Sequence, residues 1–122
     1  MKNQAYRMTM LFDFYGELLT ERQKEFFDLY YNEDLSLAEI AENYGISRQG
    51  VRDVIVRAEG IMTEMEDKTG IIKRFHLMQE QLTRAGKELD ELLAYNASHY
   101  DDPTLESLGR SVRDTIEQLK QE

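Results

Sequence analysis

Residues 37–56 constrain the fold more than any other segment, because several independent requirements coincide there. They read LAEIAENYGISRQGVRDVIV. Two helices that cross steeply at a tight turn need a small residue where they touch, and Ala41 supplies it. The reversal of the chain needs a left-handed backbone conformation, which glycine adopts without a steric penalty, and Gly45 stands at that position. The pattern therefore predicts a helix-turn-helix over about residues 36–58.

The spacing of small and apolar residues defines the buried side of this motif. We expect the following positions to form its core: Ile40, Ala41, Tyr44, Gly45, Ile46, Val51 and Val54. The simpler alternative is two ordinary helices, the first ended by a glycine and the second begun by a serine. That alternative does not require all these residue types at these positions, so their coincidence favours the helix-turn-helix.

Burial of that core leaves a polar outer face on the second helix of the motif. We expect this face to contain Ser47, Arg48, Gln49, Arg52, Asp53, Val56 and Arg57. In a DNA complex the N-terminal part of such a helix enters the major groove, where arginine pairs with guanine and glutamine with adenine. Arg48, Gln49 and Arg52 are then the candidate base-reading residues, and Arg57 a candidate phosphate contact. In the alternative interpretation the arginines are a solvated helix face held by acidic neighbours.

Capping signals and helical periodicity predict an all-α chain, with an N-terminal helix-turn-helix bundle followed by a long-helix hairpin. Capping boxes at Thr20–Gln23 and Ser36–Glu39 and a serine cap at Ser47 begin the second, third and fourth helices. Asp102 and Pro103 begin the last helix after a polar connector. The predicted ranges are 4–15, 20–32, 36–44 and 47–67 for the first four helices, and 95–102 for the connector. We expect two domains, at residues 1–67 and 70–122.

Apolar residues recur at alternating four- and three-residue steps after Gly70, which is a single-seam heptad. The seam is Ile71, Phe75, Met78, Leu82, Ala85, Leu89 and Leu92. Its partner is either the apolar stripe of the last helix or the same seam of a second chain. That stripe is Leu105, Leu108, Val112, Ile116 and Leu119. We expect a homodimer for two reasons. A second chain would cover apolar surface that one chain leaves exposed. Proteins that read DNA half-sites also need two recognition helices.

The net charge and the residue composition limit the classes of function that this chain can have. The net charge of −9, from 15 basic and 24 acidic residues, is opposite to that of proteins that bind nucleic acid by charge alone. Residues 47–58 are the exception, because three arginines and one aspartate give them a charge of 3 − 1 = +2. There is no cysteine, and no apolar run approaches the roughly 18 residues of a membrane span. We therefore expect a cytoplasmic protein without membrane insertion.

No motif in the sequence predicts catalysis. The two histidines lack the spacing of a metal site, and there is neither a nucleophile elbow nor a glycine-rich phosphate loop. We therefore predict no enzymatic activity, no metal and no cofactor.

One long stretch resembles the YlxM family of small bacterial proteins. It reads MTMLFDFYGELLTERQKEFFDLYYNEDLSLAEIAENYGISRQGVRDVIVRAE. The resemblance covers Met8 to about Leu93 and is most specific at FDFYGELLT, LYYNEDLSLAEIAE and SRQGVRD. The helix-turn-helix of that family is similar to the promoter-reading end of sigma factors, although the acidic flanks of this chain depart from a strongly basic reader.

The resemblance implies a cytoplasmic, DNA-binding and regulatory protein, with Arg48, Gln49 and Arg52 at the base-facing positions. It also implies a link to the signal recognition particle pathway, inferred for the family from neighbouring genes. The alternative function is an adaptor of the export machinery that binds protein or ribonucleoprotein and not DNA. Such an adaptor would dock through acidic residues of the hairpin such as Glu80, Glu88 and Glu91.

Overall fold

The structure, a computed structural model, describes residues 5–121 of the chain. These residues form six α-helices and one short 3₁₀ helix, with no strand among them, so the prediction of an all-α fold is confirmed. The helices are α1 (Ala5–Tyr15), the 3₁₀ helix (Gly16–Leu18), α2 (Glu21–Tyr31), α3 (Leu37–Tyr44), α4 (Arg48–Thr69), α5 (Ile71–His99) and α6 (Pro103–Lys120). The predicted start of the first helix at residue 4 lies outside the described residues.

Side-chain caps fix where the helices begin, as predicted. Thr20 Oγ1 accepts from the backbone N–H of Gln23 at 3.2 Å, and the Gln23 side chain accepts from the Thr20 backbone N–H at 2.9 Å. Ser36 and Glu39 make the same reciprocal pair at the start of α3. The Asp102 carboxylate accepts from two backbone N–H groups in the first turn of α6. Each cap satisfies N–H groups that a helix leaves without a partner at its start.

The chain forms two compact units that divide between Ile72 and Lys73. The first unit contains α1 to α4 and the first two residues of α5. Ile72 belongs there because it packs against the core of that unit and its backbone N–H donates to the Glu66 carboxylate at 3.0 Å. The sequence placed its boundary between residues 67 and 70, before these two contacts.

α4 is the central helix of the first unit and contributes to both of its hydrophobic clusters. Val51 and Ile55 are buried with residues of α2 and α3, whereas Ala58 and Met62 are buried with residues of α1 and α2. All four are fully buried. Burial of apolar area at about 25 cal/mol per Å² is the main stabilising contribution to such a unit, so α4 links both halves of its core.

The second unit is an antiparallel hairpin of α5 and α6. The two helices approach closely where Leu93 lies against Gly109, at which a Cβ atom would come within 2.4 Å of a Leu93 methyl carbon. Further along, the Arg113 guanidinium donates to the Gly86 carbonyl at 3.2 Å and to the Asp90 carboxylate. The small residues allow the two helix backbones to approach each other.

The predicted connector over residues 95–102 is wrong, because α5 continues to His99 and only three residues join the two helices. Asn96 explains the difference. It is buried at 3% exposure, and its side-chain amide donates to the Asp102 carbonyl and accepts from the Asp102 N–H. The chain then reverses at Asp101, which has a positive φ of 49°. A polar sequence there reflects a hydrogen-bonded helix end and not an open loop.

The two predicted apolar stripes of the hairpin are only partly buried within one copy. In the predicted seam of α5, Ile71, Met78 and Leu92 are exposed and the other four residues are half-buried. In α6, Ile116 is the one buried member of the predicted stripe. A close contact between the two helices, Leu93 against Gly109, lies one residue after the exposed Leu92 and Leu108, and glycine permits this approach.

Two alanine substitutions in α4 should have opposite effects on stability. Gly60 lies inside the helix, exposed and with open space around its Cβ position, so Gly60→Ala should raise the free energy of unfolding by about 0.5–1 kcal/mol. Gly70, the C-cap of α4, also has open space around its Cβ position, but its φ of 61° is left-handed. Gly70→Ala should therefore lower the free energy of unfolding by about 1 kcal/mol. Urea unfolding followed by circular dichroism measures both changes. Equal effects of the two substitutions would contradict this assignment.

Candidate nucleic-acid interface

A tight turn joins α3 to α4 in the helix-turn-helix. Gly45 ends α3 with φ 66° and ψ 33°, the left-handed conformation expected from the sequence. The backbone N–H of Ile46 donates back to the Ala41 carbonyl at 3.2 Å. Ser47 then caps α4, its hydroxyl accepting from the Gly50 N–H at 2.9 Å. The turn is thus Gly45, Ile46 and Ser47, a length typical of the motif.

The side chains expected in the motif core lie against one cluster. Ile40 and Val51 are fully buried and Ala41 is 6% exposed. Tyr44, Ile46 and Val54 are half-buried against the same cluster, whereas Gly45 is exposed at the turn. Sequence reasoning missed Ile55, which is fully buried where the half-buried Val54 had been proposed. The spacing of Val51, Ile55, Ala58 and Met62 carries the signal for it.

Side chains of α2 contact both helices of the motif. The Phe26 ring meets the edge of the Tyr44 ring at a centroid distance of 4.9 Å, and the Tyr44 hydroxyl donates to the Glu25 carboxylate. The Tyr31 hydroxyl donates to the Glu59 carboxylate, which joins α2 to α4. Hydrogen bonding to Glu25 raises the pKa of Tyr44, and burial together with Glu59 raises the pKa of Tyr31. Both hydroxyls therefore remain protonated donors at neutral pH.

The predicted outer face of α4 is exposed along its whole length. We use "α4 surface" for its seven residues, all of them exposed: Ser47, Arg48, Gln49, Arg52, Asp53, Val56 and Arg57. Because α4 is anchored by buried residues on its opposite side, this surface bears no part of the core. A partner can therefore contact it without any rearrangement of the fold.

The arginines of the α4 surface are not neutralised by any residue from 5 to 121. Arg48, Arg52 and Arg57 make no ion pair with any described residue. No acidic neighbour among residues 5–121 holds these arginines, as the alternative interpretation required. The Asp53 carboxylate instead accepts from the Gln49 side-chain amide at 2.8 Å.

Arginines of the hairpin behave differently. Arg84 lies 3.0 Å from the Glu88 carboxylate, and Arg110 and Arg113 also pair with carboxylates. The three unpaired arginines of the α4 surface therefore form a local positive region on an acidic protein. The first turn of α4 contains no acidic residue, so the positive end of its helix dipole adds to this region.

Glu80, Glu88 and Glu91 are all exposed on α5, and Glu88 pairs with Arg84. Within residues 5–121, no helix combines the length and the apolar character that a membrane span requires.

The chain is similar to known proteins of one family. A family model described as "Putative helix-turn-helix protein, YlxM / p13 like", named UPF0122, matches residues 2–97. A UPF0122 protein of Desulforamulus reducens is 46% identical over 87 residues, which cover 71% of this chain and 74% of the relative. One of Acetivibrio thermocellus is 36% identical over 115 residues, covering 94% and 98%. One of Listeria monocytogenes is 37% identical over 120 residues, covering 98% and 97%. The family model therefore spans the helix-turn-helix and nearly all of α5.

Proposed function

The chain belongs to the UPF0122 family of YlxM- and p13-like helix-turn-helix proteins, and on that basis we propose that it binds double-stranded DNA through the α4 surface. One observation carries the proposal. Three exposed arginines without ion-pair partners among the described residues stand on the second helix of the motif, in a chain whose net charge is −9. Cations placed there without neutralising carboxylates are available to a polyanion.

Each polar residue of the α4 surface has a role in this proposal. Arg48 and Arg52 suit bidentate donation to the O6 and N7 acceptors of guanine in the major groove. Gln49 suits adenine, once its amide leaves the Asp53 carboxylate to which it now donates. Arg57 lies further along the helix and suits phosphate, a contact that positions the protein without reading sequence.

The acidic remainder of the chain shapes the expected binding. Away from the α4 surface the net negative charge repels the phosphate backbone, so sequence-independent affinity is weak. Binding then depends on base contacts, which favours a sequence-selective reader over a general coating protein. We propose a regulatory role in the cytoplasm, with a binding site upstream of the genes it controls.

Fluorescence anisotropy tests the DNA-binding proposal. The purified full chain is titrated into labelled genomic duplexes, starting with the region upstream of its own gene, across a series of salt concentrations. Saturable, sequence-dependent binding at physiological salt is the expected result. Weak binding that is the same for every duplex and disappears with salt would contradict the proposal.

Removal of the one acid from the α4 surface should strengthen DNA binding. Asp53→Asn removes a negative charge near the phosphates and weakens the hold on Gln49, so the dissociation constant should fall by about three- to tenfold. The matched control is Asp67→Asn, the same substitution at an exposed residue near the other end of α4. An equal gain in both variants would attribute the effect to net charge and not to the α4 surface.

A second candidate function is an adaptor in the signal recognition particle pathway. The exposed acidic residues Glu80, Glu88 and Glu91 favour it, because an acidic face complements a basic protein or ribonucleoprotein. Capture of signal recognition particle components by the full chain, lost when these three residues are replaced by lysine, is the expected result for this function. Unchanged capture after the reversal would exclude this face as the docking site.

A further inference from the structure

The hairpin of the second unit exposes a row of large apolar residues on each helix. We use "hairpin face" for the seven residues concerned: Met78, Leu92, Tyr95, Leu105, Leu108, Val112 and Leu119. Their exposed fractions run from 43% for Leu105 to 60% for Leu108. Single exposed apolar residues are common, but seven large ones on one helical hairpin indicate an interaction surface.

The apolar rows of the two helices lie on the same side of the hairpin. On each helix the exposed row precedes the contact residues by one position, Leu92 before Leu93 on α5 and Leu108 before Gly109 on α6. One position rotates a side chain by about 100° around the helix axis. In an antiparallel pair, the residue that precedes the contact residue lies on the same side of the pair on both helices. The two rows therefore form one two-helix surface.

Charged residues are absent from this side of α6. All six charged residues of the helix fall on the remaining part of its circumference by the same helical spacing: Glu106, Arg110, Arg113, Asp114, Glu117 and Lys120. Arg113, which pairs with Asp90 of α5, marks the contact side. The positions between and beside the exposed leucines are Thr104, Ser111 and Thr115. Depletion of charge around an apolar centre is typical of the core of a protein interface.

The area of the hairpin face suits a dimer. A residue of this size exposes on the order of 200 Å² when fully accessible. Seven residues that are each about half exposed leave roughly 700 Å² per chain, above the usual largest apolar patch on a monomer. Two such faces together bury about 1,400 Å², which lies within the range of stable specific interfaces of about 1,200–2,000 Å².

We propose that the hairpin face binds the hairpin face of a second copy of this chain, so that two hairpins form a four-helix bundle. Each copy carries a net charge of −9, and like charge opposes contact over most of the surface. The uncharged side of α6 is where two copies approach without that repulsion, and on the α5 side Glu88, one turn from Leu92, pairs with Arg84. A twofold contact places the same apolar surface on both sides of the interface, and this surface is complementary to itself in character.

Sedimentation equilibrium of the full chain, without DNA, tests this proposal independently of the proposed function. The wild-type chain should sediment with twice the 14.4 kDa mass of one copy. Leu108→Glu places a carboxylate in the middle of the α6 row and should raise the dimer dissociation constant by about a hundredfold. Leu92→Glu should do the same from α5. Both side chains are more than half exposed in one copy, so the hairpin should keep its helical circular dichroism spectrum.

Ser107→Glu is the matched control, because it adds the same side chain at the exposed neighbouring position, rotated away from the hairpin face. It should sediment as the wild-type dimer. A wild-type chain that sediments as a monomer would overturn the proposal and assign the hairpin face to a different partner. Dimers that persist in both leucine variants, or that are lost equally in the Ser107→Glu chain, would also overturn it.

Discussion

A chain with Arg48→Glu and Arg52→Glu together should bind its preferred duplex at least about a hundredfold more weakly than the wild type. Residues 47–58 then contain one arginine, one aspartate and two glutamates, so their charge changes from +2 to 1 − 3 = −2. The variant loses two candidate base contacts, each worth about 1–3 kcal/mol of discrimination, and gains repulsion from the phosphates. Anisotropy titration at a fixed salt concentration measures the change.

The matched control is Arg84→Glu with Arg110→Glu, which alters the net charge equally but in the hairpin. Both double variants carry a net charge of −9 − 4 = −13. All four arginines are exposed, so neither pair of substitutions disturbs a core. We expect the control to lose less than about tenfold in affinity, from long-range repulsion alone. Equal losses in the two chains would show that the α4 surface has no specific role in binding.

Phe26→Ala should lower the free energy of unfolding of the first unit by about 3–5 kcal/mol. Phe26 is fully buried between α2 and the motif, in the same cluster as Ile40 and Val51. Truncation removes the ring that meets Tyr44 and leaves a cavity beneath the helix-turn-helix. Because domains of this size are stable by about 5–15 kcal/mol, the loss is a large part of the total. Urea unfolding followed by circular dichroism measures it.

Leu18→Ala is the control for this substitution, because Leu18 is 53% exposed in the same unit. Its stability should change by about 0.5 kcal/mol or less. If Phe26→Ala cost no more than the control, the cluster around the motif would not be a core. The smaller variant Phe26→Leu keeps most of the volume and should lose under about 1.5 kcal/mol.

Features that depend on neighbours in the sequence could be predicted. The capping boxes at Thr20 and Ser36 form because their partners stand three residues away, and both were found. Gly45 was found because a left-handed position between two periodic segments favours glycine strongly. The exposure of the α4 surface followed from the same periodicity. The helix-turn-helix is thus visible in the sequence because its constraints are local.

Features that depend on which helix lies opposite could not be predicted in the same way. Asn96 looked like a loop residue because its partner, the backbone of Asp102, is recognisable only once α6 has folded back. The close contact of Leu93 with Gly109 could not be predicted, because a search for apolar stripes passes over a glycine. That no carboxylate in the described part of the chain pairs with Arg48, Arg52 or Arg57 likewise depends on the surrounding fold.

The division of α4 along its length has an evolutionary consequence. Its inner side is fixed by two clusters at once, through Val51 and Ile55 at one end and Ala58 and Met62 at the other. Its outer side takes no part in either cluster. Substitutions on the outer side can therefore accumulate with little penalty in folding, and a duplicated gene could acquire a new target while its product keeps the same architecture. The residues that can change with the target and the residues that maintain the fold therefore lie on opposite sides of one helix.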